Sequence, residues 1–332
     1  MTLDIKTSGV EPRRQTFANV ARRLGADKPG SRYDEATLDV QPTENFHYRP
    51  LWDPKHELFD RSRTKIGMAD WYAFRDPRQF YYGTYTIARA RMMEAQEKNF
   101  KFVAKRNLLS SVDPAWLDKV RAYLIPLRHY EWGANMNNCL MTDYGYGTAI
   151  TQATMFAATD RLGIAQMISR VGLMMDGNSG DSLGTAKEEW LHDSMWQGLR
   201  HMVEDSFVVD DWFEVLVAQN VAMDSIIHPL VFQTFDAIGI NYGGAPVSLL
   251  NEFAVDWYAD SRRWVDALLK VVAAESDSNR DQISEWIRTW QGRAQDAFKP
   301  ISEHVLGDGA AQAMDVRILE LHARLAKIGI EF

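Results

Sequence analysis

Glu189-Trp190-Leu191-His192 lies in a long helical stretch, and its reading decides what kind of helical bundle this chain builds. A carboxylate and an imidazole three residues apart share one face of a helix. Bundles that hold a carboxylate-bridged metal pair use two Glu-x-x-His pairs and one further Glu from each of two other helices. No second helical copy is found. The best counterpart, Glu131-Trp132-Gly133-Ala134, has alanine where histidine is required, and Glu44–His47 lies among prolines, where the spacing has no helical meaning. The expectation is an all-α, long-helix bundle of di-metal type with no complete metal site of its own.

Working outward, the first core helix offers Glu94 and Glu97, the second Glu131 without its histidine, and the third Glu189 and His192. The fourth should carry the other pair but reads Val217-Ala218-Gln219-Asn220-Val221-Ala222-Met223-Asp224-Ser225-Ile226. His228 follows Asp224 by one turn, at the wrong spacing and beside Pro229. Several deprotonated ligands must converge to hold a metal pair. The bland reading of Glu189–His192, a surface or interface hydrogen-bonding pair, is therefore preferred.

The helices follow from capping and breaking signals. One is expected from Gln79 to Arg106, with Tyr82, Tyr85, Ile87, Ala88, Met92 and Met93 towards its inner face. Asp113-Pro114 opens the next, which reaches about Thr142 and bends, if anywhere, at Pro126. A methionine-rich helix follows to Met175. Thr185 to Glu188 fits a capping box for a helix reaching Phe207, and Asp211 to Glu214 fits another for a helix kinked at His228-Pro229. Helices from Gly244, from about 280 and from about 309 complete the bundle, which spans 76–332.

Residues 1–75 read differently. Pro12, Pro29, Pro42, Pro50 and Pro54 exclude a long helix, while Asn45-Phe46-His47-Tyr48-Arg49-Pro50-Leu51-Trp52-Asp53-Pro54 is too aromatic for a disordered tail. An extended arm lying on a partner subunit is expected, with Phe46, Tyr48, Trp52 and Trp71 as interface candidates.

The 332 residues carry a net charge of −8, and no basic stripe marks a nucleic-acid binder. Arg13-Arg14 and Arg22-Arg23 are too short for one. Cys139, the single cysteine, excludes an intrachain disulfide and a cysteine-rich metal site, and reads as a small buried residue. With no signal peptide and no run of about 18 apolar residues apparent, a cytoplasmic location without a membrane span is expected. Gly-x-Ser-x-Gly, Walker, Rossmann and His-Glu-x-x-His signatures are absent from the sequence.

The arm stretch 45–54, together with Met68-Ala69-Asp70-Trp71-Tyr72, Asp76-Pro77-Arg78-Gln79-Phe80-Tyr81-Tyr82-Gly83-Thr84-Tyr85 and Ala88-Arg89-Ala90-Arg91-Met92-Met93-Glu94, resembles the β subunits of the hydroxylase component of soluble bacterial multicomponent di-iron monooxygenases. Within that family it is most similar to phenol hydroxylase β subunits. The resemblance implies a ferritin-like fold, akin to the small subunit of ribonucleotide reductase, and a non-catalytic structural subunit that lacks metal ligands. It implies a di-iron centre in a catalytic α subunit, a small γ subunit, and an (αβγ)2 heterohexamer that hydroxylates aromatic rings. An effector protein would dock on the assembly, and NADH would supply electrons through a reductase carrying FAD and a [2Fe-2S] cluster. The competing readings are an independent di-metal oxidase, which lacks a ligand set, and a helical module binding an apolar ligand, which leaves the aromatic arm unexplained.

Overall fold

Apolar side chains recur at helical spacing over most of the chain, and the computed structural model, which describes residues 16–331, is accordingly built of helices, with no strand among those residues. Arg13-Arg14 lies outside the described residues. Two short helices, α1 (Ala18–Leu24) and α2 (Arg32–Thr37), belong to the arm. Then come α3 (Tyr82–Lys105), α4 (Pro114–Leu124), α5 (Leu127–Tyr144), α6 (Thr148–Met175), α7 (Asp181–His192) and α8 (Ser194–Ser206). A continuous helical stretch, α9 (Trp212–Tyr242), precedes α10 (Ala245–Glu275), α11 (Asp277–Leu306) and α12 (Ala310–Ala326).

Local chemistry sets the boundaries. Asp113 caps α4 through Ala115 N at 2.8 Å with Pro114 in the first turn, and Pro126 separates α4 from α5. Asp211 caps α9 through Phe213 N and Glu214 N. The expected box at Thr185 does not form: Gly180 precedes α7, and Thr185 lies within it. Asp193 instead caps a new helix through Met195 N at 2.8 Å, so His192 ends α7 rather than sitting mid-helix.

Four helices form a closed ring: α5 packs on α6, α6 on α10, α10 on α9, and α9 back on α5. Every residue from Val215 to Phe232 in α9 is buried. This 31-residue helix is apolar and long enough to cross a membrane, yet its apolar window is wholly enclosed by the rest of the chain, as befits a core helix. Its turns widen to the π form at Val217–Met223 and Leu230–Phe235, the second directly after Pro229, which lacks an N–H to donate. The ring thus excludes water from its axis. Helix α3 lies outside it, against α10, while α11 covers α8 and α9.

The arm divides into two kinds of segment. Val20, Tyr33, Leu38, Ile66, Met68, Trp71, Tyr72 and Phe74 are buried in the chain's own core. Gln41 clamps the α5–α6 turn, donating to Gly145 O at 3.1 Å and accepting from Gly147 N at 2.6 Å. Between these tethers, Tyr48, Leu51 and Trp52 stand exposed.

Candidate functional site

Three of the four ring helices each place a charged side chain on the axis, where none reaches water. Glu131 comes from α5, Arg161 from α6 and Asp224 from α9, while α10 contributes Trp257. The Arg161 guanidinium donates through Nη1 to Glu131 Oε2 at 2.9 Å and through Nη2 to Asp224 Oδ2. Its flat face lies 4.3 Å from the Trp257 ring centroid, so one cation is held by two carboxylates and an aromatic face.

Most of the remaining oxygen capacity is also engaged. Tyr130 Oη donates to Asp224 Oδ1 at 2.7 Å, and Gln219 Nε2 donates to the same oxygen at 3.1 Å. Gln219 and Asp224 are five residues apart, a spacing that the π turn brings onto one face. Asn137 Nδ2 donates to Gln219 Oε1 at 2.9 Å. His228 Nε2 lies 3.0 Å from Glu131 Oε1 and 2.8 Å from Arg161 Nη1, with its ring stacked on Tyr258. The buried Nδ1 of His228 meets no hydrogen-bond partner, nor does Arg161 Nε.

The network decides the charge states. Burial alone would lift the Glu131 carboxyl, but Arg161 and then His228 outweigh it and hold Glu131 below the ordinary carboxylate range. Burial and the neighbouring Asp224 push the Tyr130 phenol well above its usual value, which keeps it a donor. A second cluster adjoins the first through Trp257, whose Nε1 donates to Asp160 Oδ2 at 2.9 Å. Asp160 also accepts from Tyr85 Oη at 2.9 Å and pairs with Arg89, which reaches Asp260 at 3.0 Å.

A di-metal bundle needs one carboxylate from each of two helices and a Glu-x-x-His pair from each of the other two. Here Glu131 and Asp224 are the single carboxylates. The two remaining helices offer Arg161 with Ile164 three residues on, and Trp257 with Asp260 three residues on. Arginine and tryptophan ligate no dication, and Asp260 is turned to Arg89 and Arg78. Among the described residues, no group of three or more His, Cys, Asp or Glu side chains is arranged to hold a metal ion. The residues present do not fit a carboxylate-bridged metal pair.

The other positions singled out from sequence lie elsewhere. Glu94 is exposed, and Glu97 pairs at the surface with Arg170 and Lys101, because α3 is not a ring helix. Its expected inner face is also corrected: Tyr82, Ile87 and Met93 are exposed, whereas Tyr85, Arg89, Gln96 and Phe100 face inward. Ala134 is buried beside the axis, but on the helix that supplies a single carboxylate, so its lack of an imidazole removes nothing. Glu189 is half-buried and His192 exposed, outside the ring, where His192 approaches Glu188 at 3.6 Å. Burial, with Asp193 nearby, raises the Glu189 carboxyl to about 7. Trp71 fills the chain's own core 5.4 Å from Trp212, whereas Phe46 is half-buried against Phe59. Arg161 is neither an acidic nor an imidazole residue; what marks it in the sequence is the charge pair Asp160-Arg161 inside the otherwise uncharged helical run 149–169.

A model of the methane/phenol/alkene hydroxylase family matches residues 52–276. The chain is 48% identical over 331 residues to the oxygenase component DmpL of a phenol 2-monooxygenase from Pseudomonas sp. (strain CF600), covering 100% of this chain and 99% of that one. It is 44% identical to the corresponding component MhpL from Acinetobacter pittii (strain PHEA-2), covering 100% and 98%. The crystal structure of xenon-pressurized phenol hydroxylase from Pseudomonas sp. OX1 contains a chain that superposes with a TM-score of 0.92 at 44% identity, covering 99% of both. This chain belongs to the methane/phenol/alkene hydroxylase family, as a β-type subunit of the oxygenase component of a multicomponent monooxygenase.

Proposed function

We propose that this chain is the non-catalytic structural β subunit of an aromatic-ring hydroxylase acting on phenols. It supports a di-iron α subunit within an (αβγ)2 assembly, in the cytoplasm. The observation that carries the reading is Arg161, a guanidinium between Glu131 and Asp224 on the axis where a metal pair would stand. A fixed internal cation satisfies both carboxylates, so the bundle keeps its architecture without a metal and leaves the oxidative chemistry to its partner. An effector protein and an NADH-dependent reductase with FAD and a [2Fe-2S] cluster complete the system as proposed.

The direct test is iron and manganese content per chain after expression alone with added metal. A value near zero is expected. About two irons per chain, abolished by Glu131→Gln, would make this an independent di-metal oxidase and end the proposal.

The same reading assigns the exposed segment around Tyr48, Leu51 and Trp52 to the α subunit, while its flanks stay on the chain's own bundle. Tyr48→Ala with Trp52→Ala is expected to weaken co-purification with α about tenfold or more without lowering the melting temperature of the chain. Undiminished assembly would remove the arm from the interface.

A further inference from the structure

The cation on the axis belongs to the chain itself, and its surroundings match that cation poorly. Arg161 Nη1 meets Glu131 Oε2 at 2.9 Å and His228 Nε2 at 2.8 Å, while Nη2 meets Asp224. Two carboxylates and an imidazole, brought by α5 and α9, thus close on one guanidinium. A guanidinium carries five N–H donors in one plane and is held best by acceptors along all its edges. Here Nε of Arg161 is buried and meets no acceptor. The acceptors gather at the two outer nitrogens alone, as they would around a point charge.

Charge and ligand type agree with that mismatch. Two carboxylates oppose one positive charge, so beside a neutral imidazole a divalent ion balances the site and a guanidinium does not. Carboxylate oxygen and imidazole nitrogen are the donors that zinc and its neighbours take. Zinc binds such atoms at about 2.0–2.2 Å, so Glu131 and His228 need to close by less than about 1 Å on an ion standing at Nη1. With the guanidinium between them, the three side chains do not form a metal-holding group. Trp257 and the turned-away Asp260 supply nothing for a second ion.

We infer that the axis is a site for one divalent cation in which Arg161 sits as a built-in substitute, with Glu131, Asp224 and His228 as the ligand set. The inference rests on the reading of Arg161 given above and extends it. His228 joins the two carboxylates as a ligand, and the loss of one side chain opens the site to a single ion rather than a pair.

The test is zinc content and melting temperature of the full chain carrying Arg161→Ala, expressed with and without added Zn2+. About one zinc per chain is expected in the variant, with a melting temperature several degrees higher when zinc is supplied. Wild type and Arg161→Lys, which keep a positive charge in the site, are expected to hold none. Adding His228→Ala to Arg161→Ala is expected to weaken zinc retention about tenfold or more. If Arg161→Ala unfolds without metal, recovery of its helical circular-dichroism signal by Zn2+ supports the inference, and no recovery overturns it. A folded Arg161→Ala chain that takes no zinc also overturns it, as does zinc retention unaffected by His228→Ala. These results leave the non-catalytic reading standing, which falls only if the wild-type chain itself holds a metal pair.

Discussion

The two faces of the α5–α6 hairpin are inverted relative to an ordinary surface helix pair. Its inner face carries Glu131, Asp160 and Arg161, all buried, whereas its outer face carries Trp132, Met136, Met155 and Leu162, all exposed. Burying charge is costly unless it is paired and hydrogen-bonded, and exposing a contiguous apolar strip wastes burial that folding could have used. Neither face is what stability alone would select. The inner face is explained by an architecture whose axis is built for converging carboxylates; the outer one is left open to a neighbour in the assembly proposed above. Changes on the inner face should therefore act on folding, and changes on the outer face on assembly.

The largest expected effect is at Arg161. Arg161→Met leaves Glu131 and Asp224 buried beside each other without their cation, a situation that costs about 3–5 kcal/mol. Thermal unfolding should shift down by roughly 4–7 °C. Adding Glu131→Gln and Asp224→Asn to that variant removes the stranded charges and is expected to restore most of the loss. An Arg161→Met protein as stable as wild type would show that the network carries little stability. The same comparison has a pH arm. Glu131 is held below the ordinary carboxylate range in the folded state, so its contribution is complete above the unfolded carboxyl value and is lost as pH falls through the lower folded value. Glu131→Gln is expected to flatten the acid limb of the stability profile; an unchanged limb would count against Glu131 as an ionised member of the network.

Much of this was legible in the sequence, for physical reasons that also show where reading stopped. Asp113-Pro114, Pro126 and Asp211 mark boundaries because a cap or a missing N–H acts locally, and the structure places helix ends there. The break at Asp193 is hidden in the sequence because one carboxylate capping Met195 N interrupts a stretch whose apolar period runs on. The axis was harder still. Which helices ring the centre is a tertiary fact: Glu94 and Glu97 have the identity of ligands but stand on α3, outside the ring, while the ring helix α10 carries no Glu-x-x-His spacing. Glu131 reads in the sequence as half of a Glu-x-x-His pair, whereas its helix supplies a single carboxylate to the axis. Arg161 could not be reached by searching for ligands, because it replaces one.

Glu189 offers the smallest effect and the finest separation of centre from periphery. Its half-buried carboxyl is raised to about 7, so the unfolded chain releases its proton first, and folding stability declines as pH rises from the unfolded value through about 7. Glu189→Gln should remove that decline, matching wild type near pH 4 and melting one or two degrees higher, roughly, above pH 7. Because Glu189 is partly exposed, solvent screening keeps the gain small. Assembly with the α subunit should be unchanged, since Glu189 lies on neither the axis nor the apolar strip of the α5–α6 hairpin. A loss of stability at pH 8 in Glu189→Gln would instead mean that the ionised carboxylate has a stabilising contact, and that the Glu-x-x-His spacing, irrelevant to the centre, has a structural use at the surface.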